Sequence, residues 1–169
     1  MRVALTGATG LIGSAIARRL AGDGHDVRTF GRTAKSDVRH DLAGGERLDP
    51  ASLAGCGALI HAAGVVDEDF SDRLRAFAKA IAGTEALGTA ARDAGIRRWI
   101  YVSSAHVYGS LEGRIDESSP PNPLSDYAIA HFASEQILRR VGAGAAGLVL
   151  RPCAVFGMPP TSAASIVGR

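Results

Sequence analysis

Three glycines at fixed spacing near the N-terminus constrain the fold of this chain more than any other feature. Gly7, Gly10 and Gly13 directly follow the apolar run at residues 3–5, and apolar residues then recur at helical spacing from Leu11 to Leu20. This pattern predicts a buried strand, a glycine turn and an amphipathic helix. The first glycine permits the turn, the second lets the backbone approach a pyrophosphate, and the third lets the helix pack on the strand. Glycines also serve plain turns, but with a helix N-terminus behind them we predict a dinucleotide-binding loop.

The rest of the chain alternates strands with helices. Apolar runs predict strands at about 26–30, 58–61, 99–102 and 148–150, with a short one near 38–42. Helical spacing predicts two further helices, at about 70–94 and 125–141. Because most strands are apolar throughout, we expect a parallel sheet covered on both faces, which is a doubly wound α/β fold. The length of 169 residues suits a single domain over residues 1–169.

Composition and charge exclude several classes of protein. Hydrophobic residues make up 46% and charged residues 21%, as is ordinary for a globular protein. A net charge of +2 favours no nucleic-acid partner, which would need a basic stripe. No signal peptide or apolar span is visible, so we expect a cytoplasmic protein with no membrane partner. Cys56 and Cys153 lie far apart with no CxxC spacing, which predicts free buried thiols and no metal site.

The end of the predicted second strand bears on which nicotinamide cofactor would bind. An acidic residue there would bind the ribose hydroxyls of NAD, but this position is Gly31 and Arg32 follows it. A guanidinium can bind the 2′-phosphate of NADP through two parallel hydrogen bonds. We therefore favour NADP over NAD, with a solvent-exposed turn arginine as the alternative.

Several motifs, in order along the chain, resemble one family. Thr6 with the three glycines resembles the TGxxGxxG motif of the short-chain dehydrogenase/reductase superfamily, and residues 61–64, "HAAG", resemble the HxAA motif of its extended branch. "WIYVSSAHVYG" resembles the fourth strand of that branch, and "LVLRPCAVFG" resembles its LRPxxVYG segment. The chain is identified as a member of the extended branch, of the NAD-dependent epimerase/dehydratase type, with a Rossmann-type NAD(P)-binding fold.

The resemblance implies a cofactor site on the glycine loop and on the ends of the following strands. Asp41 and Leu42 resemble the Asp-Leu pair near the adenine ring, and Pro152 belongs to a segment that lies near the nicotinamide. The implied cofactor-binding residues are Thr6, Gly7, Thr9, Gly10, Leu11, Ile12, Gly13, Arg32, Asp41, Leu42, His61, Ala62, Ala63, Gly64, Tyr127, His131 and Pro152.

The resemblance also implies three catalytic residues, Ser104, Tyr127 and His131. Tyr127 would transfer the proton while hydride moves between nicotinamide and a carbinol or carbonyl carbon, and Ser104 would hydrogen-bond the substrate oxygen. The family has a lysine four residues after the tyrosine, whose charge stabilises the phenolate and which also holds the nicotinamide ribose. Here that residue is His131, and an imidazole with a pKa of about 6.5 is mostly neutral at pH 7. Ala80 also occupies the place of the family's asparagine.

Alternatives remain open at each of these positions. Tyr127 and His131 are also compatible with partly buried polar residues on an amphipathic helix. His106 is compatible with a substrate contact or with a surface or packing position. The sequence lacks the acid pair of nucleotide-sugar dehydratases, since Ala105 and His106 follow Ser104. An NADP-dependent reductase or epimerase is therefore favoured, acting on a small carbonyl or sugar-type substrate. The alternative is a catalytically silent NADP-binding module, a sensor or a protein partner.

The extended branch also raises expectations about the whole protein. Its members continue into a small C-terminal substrate lobe, and nothing in residues 159–169 supplies such a lobe. We therefore expect the lobe to be absent from this chain. Homodimers are common in the family, often through the helices that correspond to about 70–94 and 125–141, so a homodimer is expected here as well.

Overall fold

Six parallel strands form one sheet. From one edge to the other they are β3 (Val38–Arg39), β2 (Asp26–Gly31), β1 (Arg2–Thr6), β4 (Cys56–His61), β5 (Arg98–Val102) and β6 (Ala146–Leu150). The structure is a computed structural model that describes residues 1–44, 46–110 and 113–157. The order is that of the doubly wound Rossmann fold, which confirms the predicted fold class.

Helices cover both faces of the sheet, because successive side chains of a strand point to opposite sides. The helices are α1 (Leu11–Gly22), α2 (Arg73–Ala78), α3 (Thr84–Asp93) and α4 (Asp126–Val141). Val3 and Leu5 of β1 pack in the cluster that includes the α1 residues, whereas Ala4 between them packs in the cluster with α3 and α4. Connections leave β1 and β4 in opposite directions along the sheet, which opens a crevice at their carboxyl ends.

The segment predicted as one helix at 70–94 consists of four helical pieces. A 3₁₀ turn (Asp67–Asp72) leads into α2, a π-helical turn (Lys79–Gly83) follows, and α3 completes the segment. Apolar spacing did not predict the π turn, because the wider turn leaves a helical pattern on each side of it. A Cβ atom at Gly83 would overlap the Leu42 carbonyl oxygen, so this residue must be small for the segment to pack here.

Several other details differ from the sequence-based expectations. The short strand predicted near 38–42 covers only Val38–Arg39. The expectation that residues 159–169 supply no substrate lobe concerns a segment outside the described residues. Cys56 is buried and Cys153 is exposed, so the expectation of two buried thiols was wrong for Cys153. Within the described ranges, no helix is long and apolar enough to cross a membrane.

Candidate cofactor and catalytic site

The glycine loop packs tightly at two of its glycines and is open at the third. Gly7 has a φ of 74°, and a Cβ atom there would lie 2.6 Å from the Ala62 carbonyl carbon. A Cβ atom at Gly13 would overlap the Gly7 carbonyl oxygen. At Gly10, the N-cap of α1, the nearest atom to such a Cβ is the Gly7 oxygen at 3.4 Å. The loop thus folds back on itself and presents Gly10 and the α1 N-terminus outward, an arrangement that suits phosphate binding.

A cavity of about 340 Å³ lies beside this loop, at the carboxyl ends of β1, β2 and β4. The volume is within the usual range for small-molecule sites, although a whole dinucleotide would extend beyond it. Ten of the residues assigned to the cofactor from sequence line the cavity: Thr6, Gly7, Thr9, Gly10, Arg32, Asp41, Leu42, Ala62, Ala63 and Gly64. Lining residues that the sequence did not point to include Phe30, Thr33, Ser36, His40, Val66, Asp69 and Lys79. The outward glycine, the helix N-terminus and the cations in the wall fit the phosphates of a dinucleotide.

The other predicted cofactor residues lie outside the cavity lining. Leu11, Ile12 and Gly13 form the first turn of α1 behind the loop, and His61 is buried beneath the wall. Tyr127 and His131 lie on α4, and Pro152 follows β6. Their contact with a cofactor stays a prediction.

His61 anchors the cavity wall from behind. Its Nδ1 atom lies 2.7 Å from the Thr6 hydroxyl, which in turn accepts a hydrogen bond from the Ala63 N–H. Its Nε2 atom lies 3.2 Å from the Thr84 hydroxyl. Burial, with smaller contributions from the nearby His131 and Lys79, lowers the pKa of His61 to about 3, so the ring is neutral. The network therefore ties the ends of β1 and β4 to the start of α3 without a buried charge.

His131 is also buried and has a partner at each ring nitrogen. Its Nε2 atom lies 3.3 Å from the Val65 carbonyl oxygen and its Nδ1 atom 2.9 Å from the Tyr101 hydroxyl. Because a carbonyl only accepts, Nε2 donates, and the neutral ring accepts at Nδ1 from Tyr101. Burial lowers the pKa of His131 and raises the pKa of Tyr101, so neither group is charged near pH 7. His131 does not supply the positive charge of the lysine that it replaces.

Ser104 and Tyr127 meet around His106. The Ser104 hydroxyl lies 3.0 Å from His106 Nδ1 and accepts a hydrogen bond from the His106 N–H. The His106 ring packs edge-on against the Tyr127 ring at 5.7 Å between centroids, and Tyr127 packs similarly on His131 at 4.5 Å. His106 is exposed and packs on Tyr127, which agrees with the surface and packing alternatives, and its contact with a substrate stays a prediction.

Two contacts connect this group to its surroundings. The Pro152 carbonyl accepts a hydrogen bond from the Ala105 N–H at 2.9 Å, which places the end of β6 beside Ser104. A Cβ atom at Gly64 would lie 2.8 Å from the His131 ring, and Gly64 itself lines the cavity. His131 therefore connects Tyr127 to Gly64 of the cavity lining, although Ser104, Tyr127 and His131 do not line the cavity themselves.

Sequence reasoning missed an ion pair beneath the catalytic group. Glu135 is fully buried and accepts two hydrogen bonds from the Arg151 guanidinium, at 3.0 and 2.6 Å, and one from the Ser103 hydroxyl at 2.5 Å. Arg151 also lies 4.7 Å from the centre of the Tyr108 ring. The pair fixes α4 to the ends of β5 and β6. The sequence carried one signal for this ion pair. Glu135 is an acidic residue four positions after His131, and it therefore lies on the apolar side of the predicted helix.

A family model for the NAD dependent epimerase/dehydratase family matches residues 3–167. The chain belongs to this family. That membership confirms the resemblance drawn from the motifs, and the family is NAD-dependent by its description.

The names of the known relatives point to different substrates. The 4-hydroxy-2-methyl-3-oxo-4-farnesyl-3,4-dihydroquinoline-1-oxide ketoreductase of Stigmatella aurantiaca is 30% identical, over 96% of this chain and 52% of its own length. Sterol demethylase protein B of Methylococcus capsulatus is 33% identical, over 100% of this chain and 56% of its own. The solved structure of MoeE5 in complex with UDP-glucose and NAD is 28% identical, with a TM-score of 0.77, over 89% of this chain and 54% of that one. The chain thus spans about half the length of the relatives it matches.

Proposed function

We propose that this chain forms the cofactor-binding part of an NAD(P)-dependent reductase or epimerase that acts at a carbinol or carbonyl carbon. One observation carries the proposal: Ser104 and Tyr127 both contact His106, and Tyr127 packs on His131, whose ring lies against Gly64 in the lining of the cavity beside the glycine loop. The substrate class is a small carbonyl or sugar-type molecule, in line with the ketoreductase name and the UDP-glucose complex among its relatives.

Ser104 and Tyr127 would share the work of proton transfer. A bound nicotinamide supplies or accepts the hydride. Tyr127 donates a proton to the substrate oxygen in the reducing direction and removes it in the other, while the Ser104 hydroxyl holds that oxygen by a hydrogen bond. An ordinary phenol titrates near pH ~10, so the phenolate needs stabilisation to act near neutrality. The neutral His131 orients Tyr127 by packing on its ring and leaves this stabilisation to other charges.

The cavity wall favours NADP over NAD. Arg32 lines the wall with Thr33 and Ser36, and the residue at the end of β2 is Gly31, which has no acidic side chain. The Ser36 hydroxyl lies only 2.7 Å from the place where a Cβ atom of residue 31 would be. An acidic side chain at residue 31 would therefore displace Ser36. The solved structure of MoeE5 contains NAD, which is an observation about the cofactor of MoeE5.

Calorimetric titration with NADPH and NADH tests the cofactor assignment. We expect tighter binding of NADPH, and an Arg32→Gln variant that loses about 10-fold affinity for NADPH with little change for NADH, because a charged hydrogen bond contributes about 1.5–3 kcal/mol. Arg19→Gln removes the same charge from an exposed ion pair on α1 and serves as the control. Equal affinities in the wild type would contradict the NADP preference, and no binding of either would contradict the cofactor site.

A second candidate function is a catalytically silent cofactor-binding module. The neutral, fully engaged His131 and the Ala80 side chain at the asparagine position favour it. Hydride transfer from NADPH to any member of a broad carbonyl panel would exclude the silent module. If such turnover survives unchanged in Tyr127→Phe, the role of Tyr127 as acid and base is wrong.

We also propose a homodimer formed through the helical segments 67–93 and 126–141. Leu74 is 86% exposed, and Ile81 and Ile129 are exposed as well, so these helical segments carry apolar side chains that association would cover. Sedimentation equilibrium measures the oligomeric state directly.

A further inference from the structure

An ion pair lies in the wall of the cofactor cavity itself. The Lys79 ammonium is 2.8 Å from the Asp69 carboxylate, and both residues line the cavity. The Lys79 side chain is 19% exposed and that of Asp69 is 31% exposed. Lys79 is the first residue of the π-helical turn, a type of irregularity that often occurs at functional sites.

The charges around the cavity make Lys79 a candidate for binding phosphate. The lysines and arginines in the described lining are Arg32 and Lys79. Asp41 also lines the cavity, but its carboxylate pairs with Arg75, which lies outside the lining. Asp69 is therefore the carboxylate of the lining whose partner, Lys79, also lines the cavity. A dinucleotide brings at least two negative phosphates into that space.

We propose that Lys79 binds a phosphate group of the cofactor and that Asp69 holds the ammonium in place until the phosphate replaces it. The inference rests on the proposed function, because it requires that the cavity bind a dinucleotide. The exchange replaces one charged hydrogen bond by another, so the carboxylate of Asp69 competes with the phosphate for Lys79.

The electrostatics of Asp69 agree with this competition. Burial acts to raise the pKa of Asp69, but the hydrogen bonds from Lys79 and the Val66 N–H, with the charges of Lys79 and Arg32, hold it below its usual value. The carboxylate is thus ionised and near both cations of the wall. The Lys79 charge also contributes to the lowered pKa of His131, so its field extends to the position where the family has its lysine.

Paired substitutions separate a binding role from a structural one. Lys79→Gln is expected to weaken NADPH and NADH binding about 10-fold, the loss of one charged contact, and Lys79→Arg to retain most of the affinity. Asp69→Asn keeps an oxygen that can accept from the Val66 N–H and frees Lys79, so we expect about 2- to 5-fold tighter binding. The double variant should bind like Lys79→Gln alone, because Asp69 acts through Lys79.

Calorimetry on the same protein with four controls decides the outcome. Arg19→Gln and Asp23→Asn make the same charge changes in an exposed ion pair outside the cavity lining and should leave affinity unchanged. Thermal unfolding of each variant shows whether it is folded. The Lys79→Arg variant keeps the positive charge and controls for the loss of the lysine side chain. Equal losses for NADPH and NADH assign Lys79 to the diphosphate, whereas a loss for NADPH alone assigns it to the 2′-phosphate beside Arg32.

Two results would overturn the inference. Unchanged affinity in Lys79→Gln, in a protein whose wild type binds NADPH, removes Lys79 from the site and leaves the proposed function intact. Weaker binding in Asp69→Asn, matching that in Lys79→Gln, shows that the pair only supports the fold. A wild type that binds neither cofactor refutes the proposed function and this inference together.

Discussion

The side chain at residue 131 shows how its surroundings decide what a histidine can do. An imidazole in water is a weak base that could share a proton with its neighbours. Here Val65 and Tyr101 engage both nitrogens, and burial keeps the ring neutral. Tyr127 therefore has an aromatic neighbour where the family has a cation, and any compensating charge must come from another element. Lys79 on the π turn is a described cation that acts on this region.

Loss of the Glu135 side chain should cost the protein much of its stability. Removing one partner of a buried ion pair leaves the other charge uncompensated, which costs about 3–5 kcal/mol. We expect Glu135→Ala to lower the free energy of unfolding by about this amount in urea denaturation, because Arg151 and Ser103 both lose their acceptor. Glu85→Ala, which removes an exposed partner of Arg140, should cost about 1 kcal/mol or less. Equal losses in the two variants would mean that the burial of Glu135 is unimportant.

At the scale of elements, the glycine loop and α1 form one unit with two kinds of glycine. Gly13 is small because the helix packs against the Gly7 carbonyl, whereas Gly10 has space around it. Gly13 is thus required for the packing of the helix, whereas the space at Gly10 is available to a ligand that approaches the loop. Substitution by alanine separates them.

Gly13→Ala should destabilise the fold, and Gly10→Ala should leave it stable but weaken cofactor binding. The Cβ of the first variant overlaps the backbone of Gly7, and the Cβ of the second stands where a pyrophosphate would approach. Thermal unfolding and NADPH titration measure the two effects. Gly22→Ala, at a position of α1 with no atom within 4 Å of its Cβ, is the control and should be neutral or stabilising by up to about 1 kcal/mol. Unimpaired binding in Gly10→Ala would argue against a phosphate at this loop.

At the scale of the whole molecule, two neutral buried histidines connect the sheet to the helices on one side. His61 ties β1 and β4 to α3, and His131 ties α4 to β5 and to the Val65 carbonyl. Protonation of either ring would place a positive charge in the interior and break one hydrogen bond. The global stability of the protein should therefore depend on pH.

We expect the protein to lose stability as the pH falls below about 6.5. The pKa of each histidine is lower in the folded state than the unfolded value of about 6.5, so the unfolded state takes up protons first. The stabilisation is complete above pH ~6.5, and for His61 it is lost progressively towards its folded pKa of about 3. The slope is at most about 1.4 kcal/mol per pH unit for each histidine. Urea unfolding at pH 7.5 and 5.5 should show a smaller difference in His61→Gln than in the wild type, and an equal difference would exclude His61 as a source.

Much of the fold follows from the sequence by itself, because its signals are local. The glycine loop, the order of strands and helices, and family membership all come from patterns within about a dozen residues, where backbone conformation and side-chain spacing are set by near neighbours. Ten of the predicted cofactor residues accordingly meet in one cavity.

Tertiary structure alone decided the charge state and the partners of the site. Glu135 finds Arg151 sixteen residues away, and the partners of His131 lie 30 and 66 residues away. The π turn sets Lys79 into the cavity wall, although the sequence predicts an ordinary helix there. Burial and hydrogen bonding depend on which distant segments meet, and these determine whether a titratable side chain is charged or neutral.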